Sequence, residues 1–151
     1  MLLEPLVVAH AAEMVEVLSS PTLYTVIGGQ PPTEPELVAH YTRLVEGSPR
    51  PAETWRNWVI RHEGEAVGYV QATVDNDEAA AMLAWLVRPE AQGRGIATEA
   101  VVLAVDELRA GGVTTLAACI APGHVASEAV ARRIGFQPTD REVDGERVWT
   151  N

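Results

Sequence analysis

Val87-Arg88-Pro89-Glu90-Ala91-Gln92-Gly93-Arg94-Gly95-Ile96-Ala97-Thr98-Glu99-Ala100 joins two segments of opposite pattern. Before it, residues 79–87 are almost wholly apolar, as expected of a strand buried in mid-sheet. After it, Ala97, Ala100, Val101, Ala104 and Leu108 recur at helical spacing, so residues 95–110 read as a helix that Gly111-Gly112 ends. A buried strand, a Gly-rich turn and a helix N-terminus together make an anion site. Gly93 and Gly95 carry no Cβ and let the backbone approach a ligand closely. The free N–H groups of the first helical turn and the helix dipole favour a diphosphate without any Lys, and Arg94 can add a charged donor. An ordinary tight strand-to-helix turn is the plainer alternative. No Gly-Lys-Ser/Thr follows, so this is not a Walker A loop. A third Gly is also missing, so it is not a dinucleotide fingerprint.

Working outward toward the N-terminus, residues 79–87 close a run of three strands. Residues 55–61 alternate, Glu63-Gly64-Glu65 turns the chain, residues 66–74 return, and Asp75-Asn76-Asp77-Glu78 turns it again. This meander is antiparallel. Upstream of it, Thr33 is an N-cap with Glu36 completing a capping box, and Leu37, Tyr41, Leu44 and Val45 make an apolar helical face. Residues 2–9 read as a strand, and 10–20 as a helix that Pro21 stops. Toward the C-terminus, 113–121 is a strand, 124–134 a helix capped by Gly135, and 136 onward a hairpin turning at Asp144-Gly145. The order β-α-α-β-β-β-α-β-α-β-β defines a mixed α+β chain. Its 151 residues fit one domain, 1–151.

Composition excludes several partners. The formal net charge is −10 and there is no Lys, so nucleic acid and anionic membranes are not expected to bind. No apolar run reaches the roughly 18 residues that span a bilayer, and the start lacks a signal-peptide pattern. With Cys119 the lone cysteine, the expected location is the cytoplasm. Residues 1–79 hold four Arg against twelve acids and residues 80–151 seven Arg against nine, formal charges of −8 and −2. Two readings are open: carboxylates that serve solubility, or an acidic surface that attracts a cationic acceptor.

Gln92-Gly93-Arg94-Gly95-Ile96-Ala97 resembles the Gln/Arg-x-x-Gly-x-Gly/Ala signature of the GNAT superfamily of N-acetyltransferases. His124 to Phe136, with Ser127 and Gly135-Phe136, is similar to a second block of that family, in the variant found among ribosomal-protein N-terminal acetyltransferases. The resemblance implies a central, mostly antiparallel mixed sheet, splayed at the cofactor site and flanked by about four helices. It implies acetyl-CoA as cofactor and transfer of acetyl to a primary amine by direct attack. The acceptor would be a small-molecule amine or a peptide N-terminus, and the assembly a homodimer. Gln92, Gly93, Arg94, Gly95, Ile96, Ala97 and Thr98 would hold the pyrophosphate, and strand backbone near Leu86 and Val87 the pantetheine. A non-catalytic acyl-CoA-binding module of the same fold is the alternative. No residue is assigned to a metal.

The chemical roles are less determined. Ser127 matches the position whose hydroxyl can protonate the leaving thiolate, or it bonds backbone in the first turn. His124 replaces the family's usual Asn; it either caps the helix and orients the pantetheine or acts as acid or base. The Tyr that many relatives use as acid is Ala131 here, and the strand 79–87 lacks their Glu. Glu99 is a candidate base or a helix-dipole partner, and His62 and the turn acids Asp75, Asp77 and Glu78 are weaker candidates. Tyr24, Trp55, Trp58, Tyr69 and Trp85 line the acceptor pocket or pack the sheet. Cys119 reads as an inert core thiol.

Overall fold

A computed structural model describes residues 1–151, except for the side chains of residues 26 and 27. Seven strands form one sheet in the order β1-β2-β3-β4-β5-β7-β6: β1 Leu2–Pro5, β2 Glu53–His62, β3 Glu65–Asp75, β4 Ala80–Val87, β5 Thr115–Ile120, β6 Gln137–Val143 and β7 Glu146–Thr150. Every pairing is antiparallel except β4 with β5. The helices are α1 Ala11–Val17, the one-turn α2 Tyr24–Ile27, α3 Glu34–Glu46, α4 Ile96–Ala110 and α5 Val125–Arg133.

Local chemistry sets most element ends where the sequence places them. Thr33 Oγ1 accepts from the Glu36 N–H at 3.3 Å, and Glu36 Oε1 from the Thr33 N–H at 3.0 Å, the two bonds of a capping box that starts α3. Asp144 and Gly145 take φ of 51° and 81°, the left-handed pair that a tight hairpin between β6 and β7 requires. The N-terminus departs from expectation. Strand β1 ends at Pro5 rather than at residue 9, and Val8–His10 form a 3-10 turn in which Val7 N–H donates to His10 Nδ1 at 3.0 Å. Helix α1 stops at Val17, short of Pro21, and residues 21–27 hold a 3-10 turn and α2, which the pattern did not announce.

Helix α4 covers one face of the sheet and α1 with α3 the other. On the α4 side, Trp58, Ile60, Val70, Leu83, Val101, Leu108, Leu116 and Trp149 belong to the larger core. On the α1/α3 side, Met14, Leu18, Leu37 and Tyr41 bury Val59 and Ala66. The alternation of β2 thus serves both layers, with Trp58 and Ile60 facing one and Val59 the other. Arg61 ties the open edge together, its guanidinium donating to Glu4 of β1 at 2.6 Å and to Glu13 of α1 at 2.8 Å.

Candidate functional site

Parallel pairing between β4 and β5 joins only Ala80–Leu83 to Thr115–Ala118. Beyond that, β4 stays paired with β3 as far as Val87, and β5 stays paired with β7 as far as Ile120. The two strands therefore diverge while each is held from its outer side. The cleft between them has a volume of about 480 Å³ and is walled by Leu83–Val87, by Ala118–Ala121 and by the start of α5. Arg88 N–H donates to Val67 of β3 at 2.8 Å, so by strand alternation the backbone groups of Leu86 also face β3. Those of Trp85 and Val87 face the cleft. Gln92 Nε2 donates to the Val87 carbonyl at 2.9 Å and pins the turn to this strand end. Leu86 thus lines the cleft, but its peptide groups are committed to β3. The peptide groups at Leu86 are therefore not free for the expected pantetheine contact, and those turned to the cleft belong to Trp85 and Val87, because strand polarity alternates residue by residue.

At the cleft's mouth, Gly93 and Gly95 both have φ of 77°, and a Cβ at either would project into open space. Gly95 is the N-cap of α4. The first helical N–H with a partner belongs to Glu99, which donates to Gly95 at 3.0 Å, leaving those of Ile96, Ala97 and Thr98 without helical acceptors. Thr98 Oγ1 is buried and has no hydrogen-bond partner, an orphaned polar atom at the same helix start. Arg94 is exposed beside it. This donor set fits a diphosphate: peptide N–H groups, a hydroxyl and a guanidinium, with no carboxylate among them and space where side chains would stand. The long apolar cleft leading away from it fits the pantetheine arm of acetyl-CoA.

Ser127 and His124 line the opposite wall, with Ser127 Oγ 3.5 Å from His124 Nε2. His124 is the N-cap residue of α5, but its side chain makes no capping bond and is turned to the serine instead. Glu99 is exposed and lies outside the cleft lining. Ile96, Ala100 and Ala104 set the buried stripe of α4, and Glu99 falls off that stripe. Its candidacy as a base is withdrawn on this geometry. His62 also stands apart from the cleft, 4.0 Å from Glu63, and Asp75 Oδ1 closes its own turn by accepting from Asp77 and Glu78 N–H. Ala131 is fully buried in the larger core, so no phenol could stand at that position without displacing the packing. Cys119 is not a core thiol: it lines the cleft, where burial and the neighbouring Glu146 raise its pKa, and its Sγ lies 3.8 Å from Met82 Sδ.

A second cavity, of about 400 Å³, opens on the α1/α3 side and shares Tyr69 and Leu86 with the cleft. Tyr24 lines it and Trp85 lines the cleft; Trp58 reaches it only through backbone, its ring being packed in the core on the other face, and Trp55 donates to Glu53 at 3.1 Å away from both. Asn57 and Gln71, direct cross-strand partners, also face this cavity. They escaped the sequence reading, although two amides on the sheet face that carries Val59 and Tyr69 break its apolar alternation. Of the twelve acids in residues 1–79, only Glu36 lines the cavity and none lines the cleft. The charge asymmetry is not aimed at the site.

A thioester-sized cleft in a splayed sheet, closed by an anion-binding helix start, is the site of an acyl-CoA-dependent transferase. The acetyltransferase (GNAT) domain family matches residues 1–137, and the chain belongs to that family. No curated protein sequence matches the chain. Among solved structures, an acetyltransferase from Thermus thermophilus is 24% identical, with a TM-score of 0.82 over 99% of this chain and 94% of that one. RimJ of Mycobacterium smegmatis, solved with a CoA disulfide, is 20% identical, with a TM-score of 0.82 over 99% of this chain and 80% of that one. The acetyltransferase that modifies the N-terminal serine of a 50S ribosomal subunit protein in Salmonella typhimurium is 16% identical, with a TM-score of 0.80 over 99% of this chain and 92% of that one. The shared fold is this mixed sheet with its flanking helices. No helix among the described residues is long and apolar enough to cross a membrane.

Proposed function

We propose that this chain, acting as one domain in the cytoplasm, transfers an acetyl group from acetyl-CoA to a primary amine, either a small molecule or a peptide N-terminus. The observation that carries the reading is the convergence, in one cleft, of Gln92 and Ala97 from the Gln92–Thr98 turn, the diverging ends of β4 and β5, and the Ser127–His124 pair. Acetyl-CoA, when bound, supplies an activated thioester.

The N–H groups of Ile96, Ala97 and Thr98, the Thr98 hydroxyl and Arg94 hold the diphosphate, and Gly93 and Gly95 leave room for it. The peptide groups of Trp85 and the N–H of Val87, whose carbonyl is taken by Gln92, would act as a strand-like partner for the pantetheine amides, with Leu86 and Ala97 as apolar walls. Ser127, on the cleft wall, would donate its Oγ–H proton to the departing sulfur. His124 Nε2–H returns one to the serine oxygen, and solvent refills the imidazole; the 3.5 Å separation closes to hydrogen-bond length with a small side-chain rotation. The acceptor would enter through the second cavity and lose its ammonium proton to solvent; as its nitrogen forms the C–N bond and the C–S bond breaks, a second N–H proton also leaves to solvent, balancing the one that reaches the sulfur through Ser127 and His124.

The test is thiol release from acetyl-CoA by the purified protein across a diverse amine panel. Turnover with at least one amine is expected. Binding of acetyl-CoA with no thiol release from any amine would instead identify a sensor module.

A further inference from the structure

We infer that the second cavity selects the acceptor, and that it takes a primary amine borne on a small apolar or aromatic body without further charge. The inference rests on the transferase reading above. About 400 Å³ is within the range of small-molecule sites, and the wall shared through Tyr69 and Leu86 places the cavity's inner end against the thioester cleft.

Tyr24, Tyr41 and Tyr69 gather in this cavity, close enough for ionisation of Tyr24 to oppose that of both others. Burial, with that proximity, pushes Tyr69 up to about 12 and Tyr41 further, so the phenols are neutral at pH 7. Tyr24 spends its O–H on the Leu18 carbonyl at 2.8 Å. The hydroxyls of Tyr41 and Tyr69 form no hydrogen bond to a described residue and, not being sealed from solvent, stay open to the cavity. An amine supplies what is missing: its N–H groups donate to the phenolic oxygens, and a phenolic O–H can donate to a neutral polar group on the ligand.

The lining also limits charge. Glu36 and Arg43 are its one acid and one permanent cation, and Glu36 is already bonded to the Thr33 N–H, which lowers its pKa. Burial first, then Arg43, lowers the pKa of His40, leaving it neutral at pH 7. The remaining walls are leucines, Pro32, three amides and the backbone at Trp58 and Val70, whose side chains face the core on the other side of the sheet. A polycation would meet no set of carboxylates here and would be left desolvated and unpaired. An ammonium on an apolar body meets the opposite situation. Burial favours its neutral form, the proton leaves to solvent on entry, and the free lone pair is what attacks the thioester. No carboxylate base on β4 is then needed for that first proton, and β4 has none; the second, released as the amide forms, passes to solvent.

The experiment compares 2-phenylethylamine with spermidine, by calorimetric binding to the CoA-saturated protein and by kcat/KM with acetyl-CoA. We expect phenylethylamine to be preferred at least about tenfold in both, a gap of roughly 1.4 kcal/mol. Tyr69→Phe, which keeps the ring, should raise its KM about three- to tenfold, the scale of one lost hydrogen bond, with acetyl-CoA affinity unchanged. Preference for spermidine, or an unaltered KM in Tyr69→Phe, overturns the inference while leaving the transferase reading intact. Preferential phenylethylamine binding without turnover supports the cavity's selectivity and sinks the transferase reading.

Discussion

Ser127 and His124 sit three residues apart around the start of α5, a spacing that brings side chains together on one helical surface. Each was legible in the sequence through its match to the family block, whereas their approach to one another follows from this spacing. The choice between the two readings of Glu99, cleft base or helix-dipole partner, was not legible, because its exposure depends on the rotational phase of α4 against the sheet, which the buried stripe Ile96, Ala100 and Ala104 sets only once the helix is docked. That the peptide groups of Trp85 face the cleft was likewise hidden, since alternation tells which residues share a direction but not which direction faces a gap. The serine carries the sharpest prediction at this scale. If its hydroxyl protonates the departing thiolate, Ser127→Ala should lower kcat about 10²-fold or more while acetyl-CoA affinity holds. Steady-state kinetics paired with calorimetry reads both, and an unchanged kcat would return Ser127 to a packing role.

Among the elements, strands and helices followed their periodicity closely, and the capping box of α3 and the Asp144-Gly145 turn fell where side-chain chemistry required. The divergence of β4 from β5 was foreseen only through family resemblance. Both strands read as apolar throughout, and where a pair stops bonding is decided by neighbours on the far sides. One such neighbour is Gly68 on β3. A Cβ there would overlap the Leu86 carbonyl oxygen and crowd Val87 Cα at 2.9 Å, so β3 grips β4 closely at the stretch that lines the cleft. Gly68→Ala should force these strands apart, at about 1–3 kcal/mol, the usual cost of overpacking. Thermal melting should show a fall of several degrees on the scale of about 2–4 °C per kcal/mol, and acetyl-CoA should bind more weakly. An unaltered melting temperature would mean that β4 is not held by this contact.

For the whole molecule, the sheet works as a partition. The α4 side, with the larger core, supports the cofactor turn, and the α1/α3 side opens the acceptor cavity, the two meeting at Tyr69 and Leu86. The net charge of −10 belongs to the outer surface and to edge pairs such as Arg61 with Glu4 and Glu13, which is why a halfwise charge count pointed to an acidic acceptor surface that the cavity lacks. The central claim is that the turn from Gln92 to Thr98 holds the diphosphate of acetyl-CoA. Calorimetric titration of acetyl-CoA into the wild-type protein and into Gly93→Asp, with melting curves to establish that the variant is folded, tests it most directly. Clear binding to the wild type and at least about a hundredfold loss in the variant are expected, because a carboxylate would stand in the phosphate space and oppose its charge. Equal affinity in the two folded proteins would contradict the claim.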